Sequence, residues 1–350
     1  MDFKEIFVDV NTEANNYWKS RVNEILDQFP LAKRTNVRSH WNIPFFRSIS
    51  PNQWNKSKRD YLVLGVLKSL KPWESNRSTE FIMGAANGCL SSCLYCYVNR
   101  RKENANPLTV YINDDQIIDT IIAHSEKLGP KITPSQCDPK WWTYDIGCNS
   151  DVSLDVNIND TPLKIISAMA NSNYAKASFA TKTVNPIWKT VDPKQRTRIR
   201  YSLMPQRISR LVDIKTSSIS ARIQDINGLV EAGYEVHLNF SPVILYSPFQ
   251  LWLNEWLELL TEINDTLNEK SKKQLKCEVI FLTHSKQAHE INKQWHPKGE
   301  EILWAPDKQQ EKYNKPGTIC YEYGLKRKCV QYFSDLIEKH LPYCQIRYAF

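Results

Sequence analysis

Three cysteines that lie close together in the sequence have the spacing of metal ligands. Cys89, Cys93 and Cys96 stand four and then three residues apart, within the stretch G-C-L-S-S-C-L-Y-C-Y-V at residues 88–98. A short loop that closes into a helical turn places positions i, i+4 and i+7 on one side, so the three thiolates can converge on one point. The spacing therefore predicts a metal centre at this loop.

The number of cysteines in this group distinguishes between kinds of metal centre. A structural zinc ion takes four protein ligands, usually from two separated pairs, and no second C-x-x-C pair occurs in the sequence. A [4Fe-4S] cluster held by three thiolates leaves one iron open to a small-molecule ligand. The alternative without chemistry is an amphipathic helix that buries three cysteines. We predict that Cys89, Cys93 and Cys96 hold a [4Fe-4S] cluster.

The pattern C-x-x-x-C-x-x-C, with an aromatic residue before its last cysteine, resembles the cluster motif of the radical S-adenosylmethionine (SAM) superfamily. The resemblance implies that SAM binds at the open iron and is cleaved to a 5'-deoxyadenosyl radical, which abstracts hydrogen from the substrate. Together with I-G-C-N-S-D at residues 146–151, the longer stretch resembles the spore photoproduct lyase family in particular. This resemblance covers about Tyr61 to Pro242 well and the two ends more loosely.

The composition is that of an ordinary globular protein. The 350 residues are 41% hydrophobic and 24% charged, which suits one large domain with appendages or two domains. The first residues lack the basic segment and apolar run of a secretory signal, and no apolar stretch approaches the roughly 20 residues that a membrane span needs. Nine cysteines without an export signal indicate reduced thiols. We expect a cytoplasmic protein with no membrane partner.

The formal net charge of +8 favours an anionic partner. Basic clusters occur at Lys33–Arg38, Lys194–Arg210 and Lys326–Lys328. Aromatic residues are interleaved with them, as in Arg198–Tyr201, and such a surface can pair with a phosphate backbone while its rings stack on bases. A set of solvated polar faces is the alternative interpretation.

Short apolar runs alternate with helical patterns from Phe81 onward, which predicts an α/β fold with a parallel sheet and helices outside it. The predicted strands are Phe81–Gly84, Trp142–Gly147, Ala177–Thr181, Ile199–Met204, Tyr234–Phe240 and Glu278–Thr283. The helical patterns are Asp114–Leu128, Thr161–Asn171, a short one after Pro186, Ser218–Ala232, Pro248–Leu267 and Lys286–Gln294. The resemblance implies a partial (β/α)6 radical SAM barrel, and six strand-helix repeats fit it.

Appendages precede and follow this barrel. We predict an N-terminal α/β appendage at residues 1–75, the barrel at 76–295 and a substrate-facing C-terminal segment at 296–350. The first contains a predicted strand at Ile6–Val10, a helix at Asn11–Phe29, a basic loop and an apolar run at Tyr61–Val66. The last contains a predicted helix at Lys326–Leu341 and a strand at Gln345–Tyr348.

Polar residues follow the predicted strands at the edge where parallel barrels have their active sites. By the resemblance, Ser150 and Asp151 match the pair that holds the SAM amino group, and Lys182 matches the lysine that pairs with the SAM carboxylate. Ser202 and Ser241 match positions near the ribose and adenine. Without the resemblance, Ser150 and Asp151 are an ordinary helix N-cap and Lys182 is a surface lysine.

Three further residues have catalytic roles only through the resemblance. In the family, a cysteine at the position of Cys148 returns a hydrogen atom to the product radical. Two tyrosines at the positions of Tyr95 and Tyr97 relay the radical back toward SAM. Without this context, a cysteine in a buried strand is a small packing residue. We interpret the remaining cysteines as such: Cys137, Cys277, Cys320, Cys329 and Cys344.

One departure from the family concerns its C-terminal lesion-reading segment, R-Y-G-x-G-K. The corresponding residues are Glu322–Arg327, so an acid stands where the family has the arginine that approaches the DNA lesion. A carboxylate repels a phosphate, which weighs against lesion recognition at this position.

We predict a radical SAM carbon-carbon lyase of the spore photoproduct lyase type, with a thymine photoproduct in DNA as the favoured substrate. An external electron donor such as flavodoxin or ferredoxin is expected. The alternative is a radical SAM enzyme of RiPP maturation that excises a tyrosine-derived fragment from a precursor peptide, with a possible partner protein. A third interpretation is a nucleic-acid-binding protein with a structural cluster.

Overall fold

Residues 2–75, 77–98 and 107–350 are described by a computed structural model, and their contacts divide the chain into two units. The first unit comprises Met1–Leu90, Val98–Phe179 and Val191–Arg198. The second comprises Ser91–Tyr97, Ala180–Thr190 and Ile199–Phe350. The predicted boundaries at residues 75 and 295 stay predictions.

The first unit is built on parallel strands. Its strands are β1 (Glu5–Asp9), β2 (Lys33–Val37), β3 (Tyr61–Gly65), β4 (Trp73–Glu74), β5 (Phe81–Ile82), β6 (Ala86–Asn87), β7 (Leu108–Tyr111), β8 (Trp142–Asp145) and β9 (Ala175–Thr181), the last of which ends in the second unit. One sheet has the order β2-β1-β3-β7-β6, in which only β6 is antiparallel to its neighbour. Strands β5, β8 and β9 pair in parallel register, and β4 is antiparallel to β5.

Helices follow the strands of this unit. They are α1 (Asn16–Asp27), α2 (Pro44–Ser48), α3 (Pro51–Ser57), α4 (Asp114–Leu128), α5 (Val152–Asp155) and α6 (Thr161–Asn171), with 3-10 turns at Val10–Glu13 and Lys58–Asp60. Helix α4 begins with two acids, which favour the positive end of the helix dipole, and ends before Gly129, whose φ of 67° stops it. Its buried Ile117 and Ile121 stand four residues apart and so share one face.

The second unit continues the alternation. Its strands are β10 (Thr197–Ser202), β11 (Glu235–Val243), β12 (Lys276–Phe281), β13 (Thr283–Ser285), β14 (Gln309–Glu311), β15 (Thr318–Tyr321) and β16 (Gln345–Ala349), the first of which begins in the first unit. The order β10-β11-β12-β16 is parallel at its β11–β12 and β12–β16 pairs, and β13-β15-β14 is an antiparallel sheet.

The helices of the second unit are α7 (Gln206–Val212), α8 (Ile219–Glu231), α9 (Phe249–Thr266), α10 (Glu269–Gln274), α11 (Lys286–Trp295), α12 (Pro297–Leu303) and α13 (Tyr323–His340), with a 3-10 turn at Pro186–Thr190. Aromatic rings fill its core between β11, α9 and α13. The centre of the Trp256 ring lies 4.6 Å from the centre of the Phe333 ring and 5.8 Å from that of the Phe240 ring. These edge-to-face contacts add to the burial of the rings.

The alternation of strands and helices predicted from Phe81 onward is confirmed as a mixed α/β fold. The predicted bounds of α4 and α6 are those observed. One prediction is wrong in the N-terminal appendage, where residues of the expected basic loop form β2. Its side chains are polar, yet the backbone pairs with β1 from Glu5↔Lys33 to Asp9↔Val37. None of the helices that the structure describes is long and apolar enough to cross a membrane.

Candidate active site

The loop with the three motif cysteines is irregular, with one turn. Gly88 has a φ of 96°, a left-handed conformation that residues with a Cβ atom rarely adopt, and it starts the loop. The amide of Cys96 donates to the carbonyl of Cys93 over 3.2 Å and closes the turn. Cys93 is buried, Cys89 and Cys96 are partly exposed, and all nine cysteines are free thiols.

These three thiols suit an iron-sulfur cluster better than a single metal ion. In the described parts of the chain, no group of three or more His, Cys, Asp and Glu side chains could hold a metal ion. A cluster of four irons spaces its ligands more widely than one ion does, and three thiolates leave one iron open. The donor set therefore fits a [4Fe-4S] cluster, and the assignment of the three ligands stays a prediction.

Backbone contacts in the first unit fix the start of the cysteine loop. The ammonium of Lys58, a residue only 1% exposed, donates to the carbonyl of Cys89 over 2.8 Å. The amide of Gly88 donates to the carbonyl of Asn149 over 3.0 Å, so this end of the loop adjoins the turn that contains Cys148. Lys58 was not among the predicted site residues, because nothing in its local sequence signals a contact with the loop.

The turn after β8 presents Cys148 to a cavity in the first unit. Gly147 precedes it in close contact with its surroundings, because a Cβ atom there would lie 2.5 Å from Cγ2 of Val152. Cys148 and Asn149 line a cavity of about 220 Å³. Its other described walls include three aromatic residues and two lysines, and none is acidic: Trp41, Trp73, Tyr111, Lys68 and Lys71.

The pair Ser150 and Asp151 stands at the start of α5. The buried carboxylate of Asp151 accepts a hydrogen bond from the amide of Ser153 over 3.1 Å and so caps this short helix. Asp151 therefore has the role of a helix N-cap, which is what the sequence predicts for it without the family resemblance. The predicted contact of Asp151 and Ser150 with the SAM amino group is compatible with capping and stays a prediction.

In the second unit, Lys182 lies among anionic and polar groups. Its Nζ is 3.4 Å from Oδ1 of Asp213 and 3.5 Å from the carbonyl oxygen of Ser241, and it lies 5.2 Å from the centre of the Tyr95 ring. The side chain of Lys182 is 16% exposed, which argues against an ordinary surface lysine. The structure thus brings together three of the predicted site residues, Lys182, Ser241 and Tyr95.

Asp213 is the centre of this group, and sequence reasoning missed it. The hydroxyl of Tyr95 donates to its carboxylate, and NH1 of Arg222 lies 3.4 Å from Oδ2. Burial alone would raise the pKa of Asp213, but the charges of Lys182 and Arg222 hold this pKa below its usual range. Burial and the charge of Asp213 raise the pKa of Tyr95 well above its usual range, so the phenol keeps its proton.

Two other predicted residues have different surroundings. Ser202 ends β10, and its carbonyl accepts a hydrogen bond from Arg222 over 2.6 Å, which joins it to the Asp213 group. Tyr97 is 50% exposed, whereas Tyr95 is partly buried. The two tyrosines predicted to form one relay therefore differ in their access to solvent.

We expect loss of Lys182 or of the Asp151 charge to weaken SAM binding. A charge-assisted hydrogen bond contributes roughly 1.5–3 kcal/mol, so Lys182→Ala and Asp151→Asn should each raise the dissociation constant about tenfold or more. Asparagine is as good an N-cap as aspartate, so Asp151→Asn removes charge without removing the cap. Equilibrium binding of SAM measures the effect, with Lys286→Ala as the control for an exposed, ion-paired lysine. Wild-type affinity in both variants would remove these residues from the SAM site.

A second network fixes the cysteine loop within the second unit. Nδ2 of Asn292 donates to the carbonyl of Leu94 over 3.1 Å and to Oε2 of Glu300 over 2.5 Å. Nε2 of His284 lies 2.9 Å, and Nδ1 of His289 2.6 Å, from Oε1 of the same carboxylate. Burial would raise the pKa of Glu300, but these partners hold it below its usual range. None of these four side chains was among the predicted site residues.

Helix α12 packs directly against the same loop residue. A Cβ atom on Gly299 would lie 2.3 Å from Cδ1 of Leu94 and 2.6 Å from the carbonyl oxygen of Leu211, so only glycine fits there. Leu94 stands between Cys93 and Cys96, and its own amide donates to the carbonyl of Val212 over 2.9 Å. We therefore assign Asn292 as a positioning residue for this part of the loop.

Replacing Asn292 by alanine should loosen the loop. The change leaves the buried carbonyl of Leu94 and one oxygen of Glu300 without this donor, which costs about 1–3 kcal/mol of folding free energy. We expect fewer irons per chain after reconstitution and a broadened cluster signal in electron paramagnetic resonance. The exposed Asn254→Ala is the matched control. Wild-type iron content together with a wild-type signal would show that Asn292 serves stability alone.

Three arginines of the second basic cluster, Arg196, Arg198 and Arg200, are internal, whereas Arg207 and Arg210 are exposed. Arg198 is 2% exposed, and its NH2 lies 2.9 Å from Oδ2 of Asp138. Arg200 is 5% exposed, and its NH1 lies 3.6 Å from Oε2 of Glu278. Between and beside them, β10 is buried along its whole length. The interpretation of Arg198–Tyr201 as a surface for a polyanion is therefore wrong, because the charges of Arg198 and Arg200 are neutralised inside the fold.

Comparison with known proteins agrees with the sequence motifs. The family model described as spore photoproduct lyase matches residues 6–350. Spore photoproduct lyase of Geobacillus sp. (strain Y412MC61) is 25% identical over 297 residues, which cover 84% of this chain and 83% of the relative. That of Bacillus subtilis (strain 168) is 23% identical over 304 residues, covering 85% and 84%.

Solved structures share the fold. A spore photoproduct lyase complexed with dinucleoside spore photoproduct superposes with a TM-score of 0.85 at 20% identity, over 99% of both chains. A mutant spore photoproduct lyase with bound AdoMet and dinucleoside spore photoproduct gives a TM-score of 0.83 at 19% identity, again over 99% of both. These likenesses confirm the predicted fold of a partial radical SAM barrel with appendages.

Proposed function

Because the chain belongs to the spore photoproduct lyase family, within the radical SAM superfamily, we propose that it reverts a thymine photoproduct in DNA by carbon-carbon bond scission. The family uses a [4Fe-4S] cluster and SAM, and AdoMet is bound in one of the similar structures. When bound, these cofactors supply the radical that abstracts hydrogen from the substrate. In this chain, Cys89, Cys93 and Cys96 would hold the cluster, and an external donor such as flavodoxin or ferredoxin would reduce it.

The observation that carries this proposal is the cavity at Cys148. A cavity with several aromatic rings can take up pyrimidine rings by stacking, and lysines in a lining without acidic residues suit phosphate. The dimensions also fit a small part of a larger substrate, since about 220 Å³ is below the usual range for a drug-sized ligand. A thymine photoproduct combines these features, namely two pyrimidine rings and an anionic linkage.

Each of the chain's own residues then has a definite task. The S–H bond of Cys148 breaks as its hydrogen atom passes to the carbon radical of the product, and a thiyl radical remains on sulfur. Tyr95 and Tyr97 are the residues we assign to return this radical, each by giving up the hydrogen atom of its hydroxyl. Ser150, Asp151 and Lys182 hold the amino acid end of SAM, and Ser202 and Ser241 lie near its ribose and adenine.

The alternative substrate is a ribosomally made precursor peptide. It is supported by Glu322, which is exposed immediately before α13, where the family has a basic residue. An acid there repels a DNA phosphate but tolerates a peptide.

Product analysis with two substrate classes decides between these proposals. Reconstituted, reduced enzyme is incubated anaerobically with SAM and either the dinucleoside photoproduct, irradiated DNA or candidate precursor peptides. We expect thymine to be restored in the first two and the peptides to be unchanged. Consumption of SAM with peptide modification, and no repair of either photoproduct, would overturn the proposed substrate in favour of the peptide.

A further inference from the structure

A second cavity lies in the second unit, and one of its lining residues, Leu325, belongs to the segment Glu322–Arg327 described above. It has a volume of about 470 Å³, begins at Leu245, two residues after β11, and reaches α9 and α13. Four of its described lining residues are aromatic, two are lysines and none is acidic. Neither the cluster, the SAM contacts nor Cys148 accounts for this site.

The aromatic wall of this cavity is open to solvent. Phe249 is 57% and Tyr332 40% exposed, although both are large rings that proteins usually cover. The rings of Phe249 and Trp252 are stacked, with centres 5.6 Å apart and planes at 18°, and Tyr332 meets Phe249 edge-on at 5.6 Å. Because Trp252 is buried and fixed, the wall is a firm surface for a planar ring.

Cations flank this wall. Lys308 and Lys328 line the cavity, and Arg327 is exposed beside Lys328 in α13. They include part of the third basic cluster, and unlike Arg198 and Arg200 of the second cluster, Arg327 and Lys328 face solvent. Phosphate is the anion that lysine and arginine bind most readily alongside stacked bases.

We propose that this cavity binds a nucleotide of the DNA strand that flanks the lesion, with the base against Phe249 and Tyr332 and a phosphate at Lys328. The inference rests on the proposed function, because it takes DNA as the substrate. It extends that function by a site outside the reaction centre, whose role is affinity for the strand and not chemistry. A dinucleoside lesion has no flanking nucleotide and cannot use the site.

The test compares a long ligand with a short one. Binding of a fluorescent single-stranded oligothymidylate to the holoenzyme is measured over a range of salt concentrations, beside turnover of the dinucleoside photoproduct. We expect Phe249→Ala to weaken oligonucleotide binding about tenfold, since base stacking on one ring contributes on that order. Lys328→Gln should weaken it and reduce the salt slope by about one. Neither variant should alter turnover of the dinucleoside.

Matched variants exclude a general effect. Phe249→Tyr keeps the ring and should bind as the wild type does. Tyr313→Ala and Lys270→Gln remove an exposed ring and an exposed cation elsewhere in the second unit and should also bind normally. Oligonucleotide affinities of Phe249→Ala and Lys328→Gln equal to those of these controls would overturn the site. The site would also be overturned if the two substitutions weakened binding of an acidic, aromatic peptide and left oligonucleotide binding unchanged.

The two proposals fail differently. If the wild-type enzyme repairs the dinucleoside and irradiated DNA but the cavity variants bind normally, only the flanking-nucleotide site is wrong. If the wild-type enzyme repairs neither photoproduct, the proposed function fails, and the flanking site fails with it.

Discussion

Replacing Cys89, Cys93 and Cys96 together by alanine should abolish the cluster and all SAM cleavage. Anaerobic reconstitution of the wild-type protein should give about four irons per chain and an absorption spectrum that SAM perturbs. The triple variant should bind close to no iron, because it lacks all three predicted ligands of the cluster. Iron and sulfide analysis, together with the yield of 5'-deoxyadenosine, measures both effects.

A matched control separates ligand loss from loss of thiols in general. Cys137, Cys277 and Cys320 are buried free thiols away from the motif, and the triple variant of these should keep its iron. We expect this control to lose some stability, because two of its thiols make contacts. Sγ of Cys137 contacts the carbonyl of Arg77, and Cys277 contacts Cys344. A SAM-responsive cluster in the motif variant would show that the ligand assignment is wrong.

Replacing Cys148 by alanine should change the product and leave the earlier steps intact. The cluster, SAM binding and the first hydrogen abstraction do not use this thiol, whereas quenching of the product radical does. Without the donor, we expect the yield of clean product to fall on the order of tenfold or more, which corresponds to a shift of about 1.4 kcal/mol in the competition between hydrogen return and side reactions of the radical. The surviving radical should be trapped as adducts with reductant or solvent, which mass spectrometry detects.

The control for this variant is Cys329→Ala, which removes another partly exposed thiol. Iron content is measured in both proteins, so that a variant that has lost its cluster is not mistaken for one that has lost its donor. Normal product at the wild-type rate from Cys148→Ala would make the residue a packing residue. It would also leave Tyr95 and Tyr97 without a thiyl radical to return.

Regular periodicity made most of the fold predictable. The bounds of α4 and α6 follow from apolar residues at helical spacing with clear start and stop signals, and β9 and β11 are apolar or β-branched runs. The strand β2 was not predictable in this way. Its polar side chains carry no strand pattern, and its only reason to be extended is the hydrogen-bonded partner β1.

The candidate site was predictable only where a local motif marks it. Asp213 contacts Tyr95, 118 residues away, and Asn292 contacts Leu94, 198 residues away. No spacing rule links residues so far apart, and an aspartate after a helix is an ordinary feature. A long separation in sequence also explains the wrong interpretation of Arg198. Its partner Asp138 lies 60 residues upstream, and nothing in the local sequence marks that residue.

The contacts at the cysteine loop have a consequence for assembly of the centre. Lys58 and Asn292 both bind main-chain carbonyls of the loop, so their hydrogen bonds do not depend on which side chains the loop carries. We therefore expect the polypeptide to fix these two loop carbonyls before iron arrives. Insertion of the cluster should then require little additional folding of the loop. Removal of the iron by a chelator should be reversible without unfolding and refolding the protein.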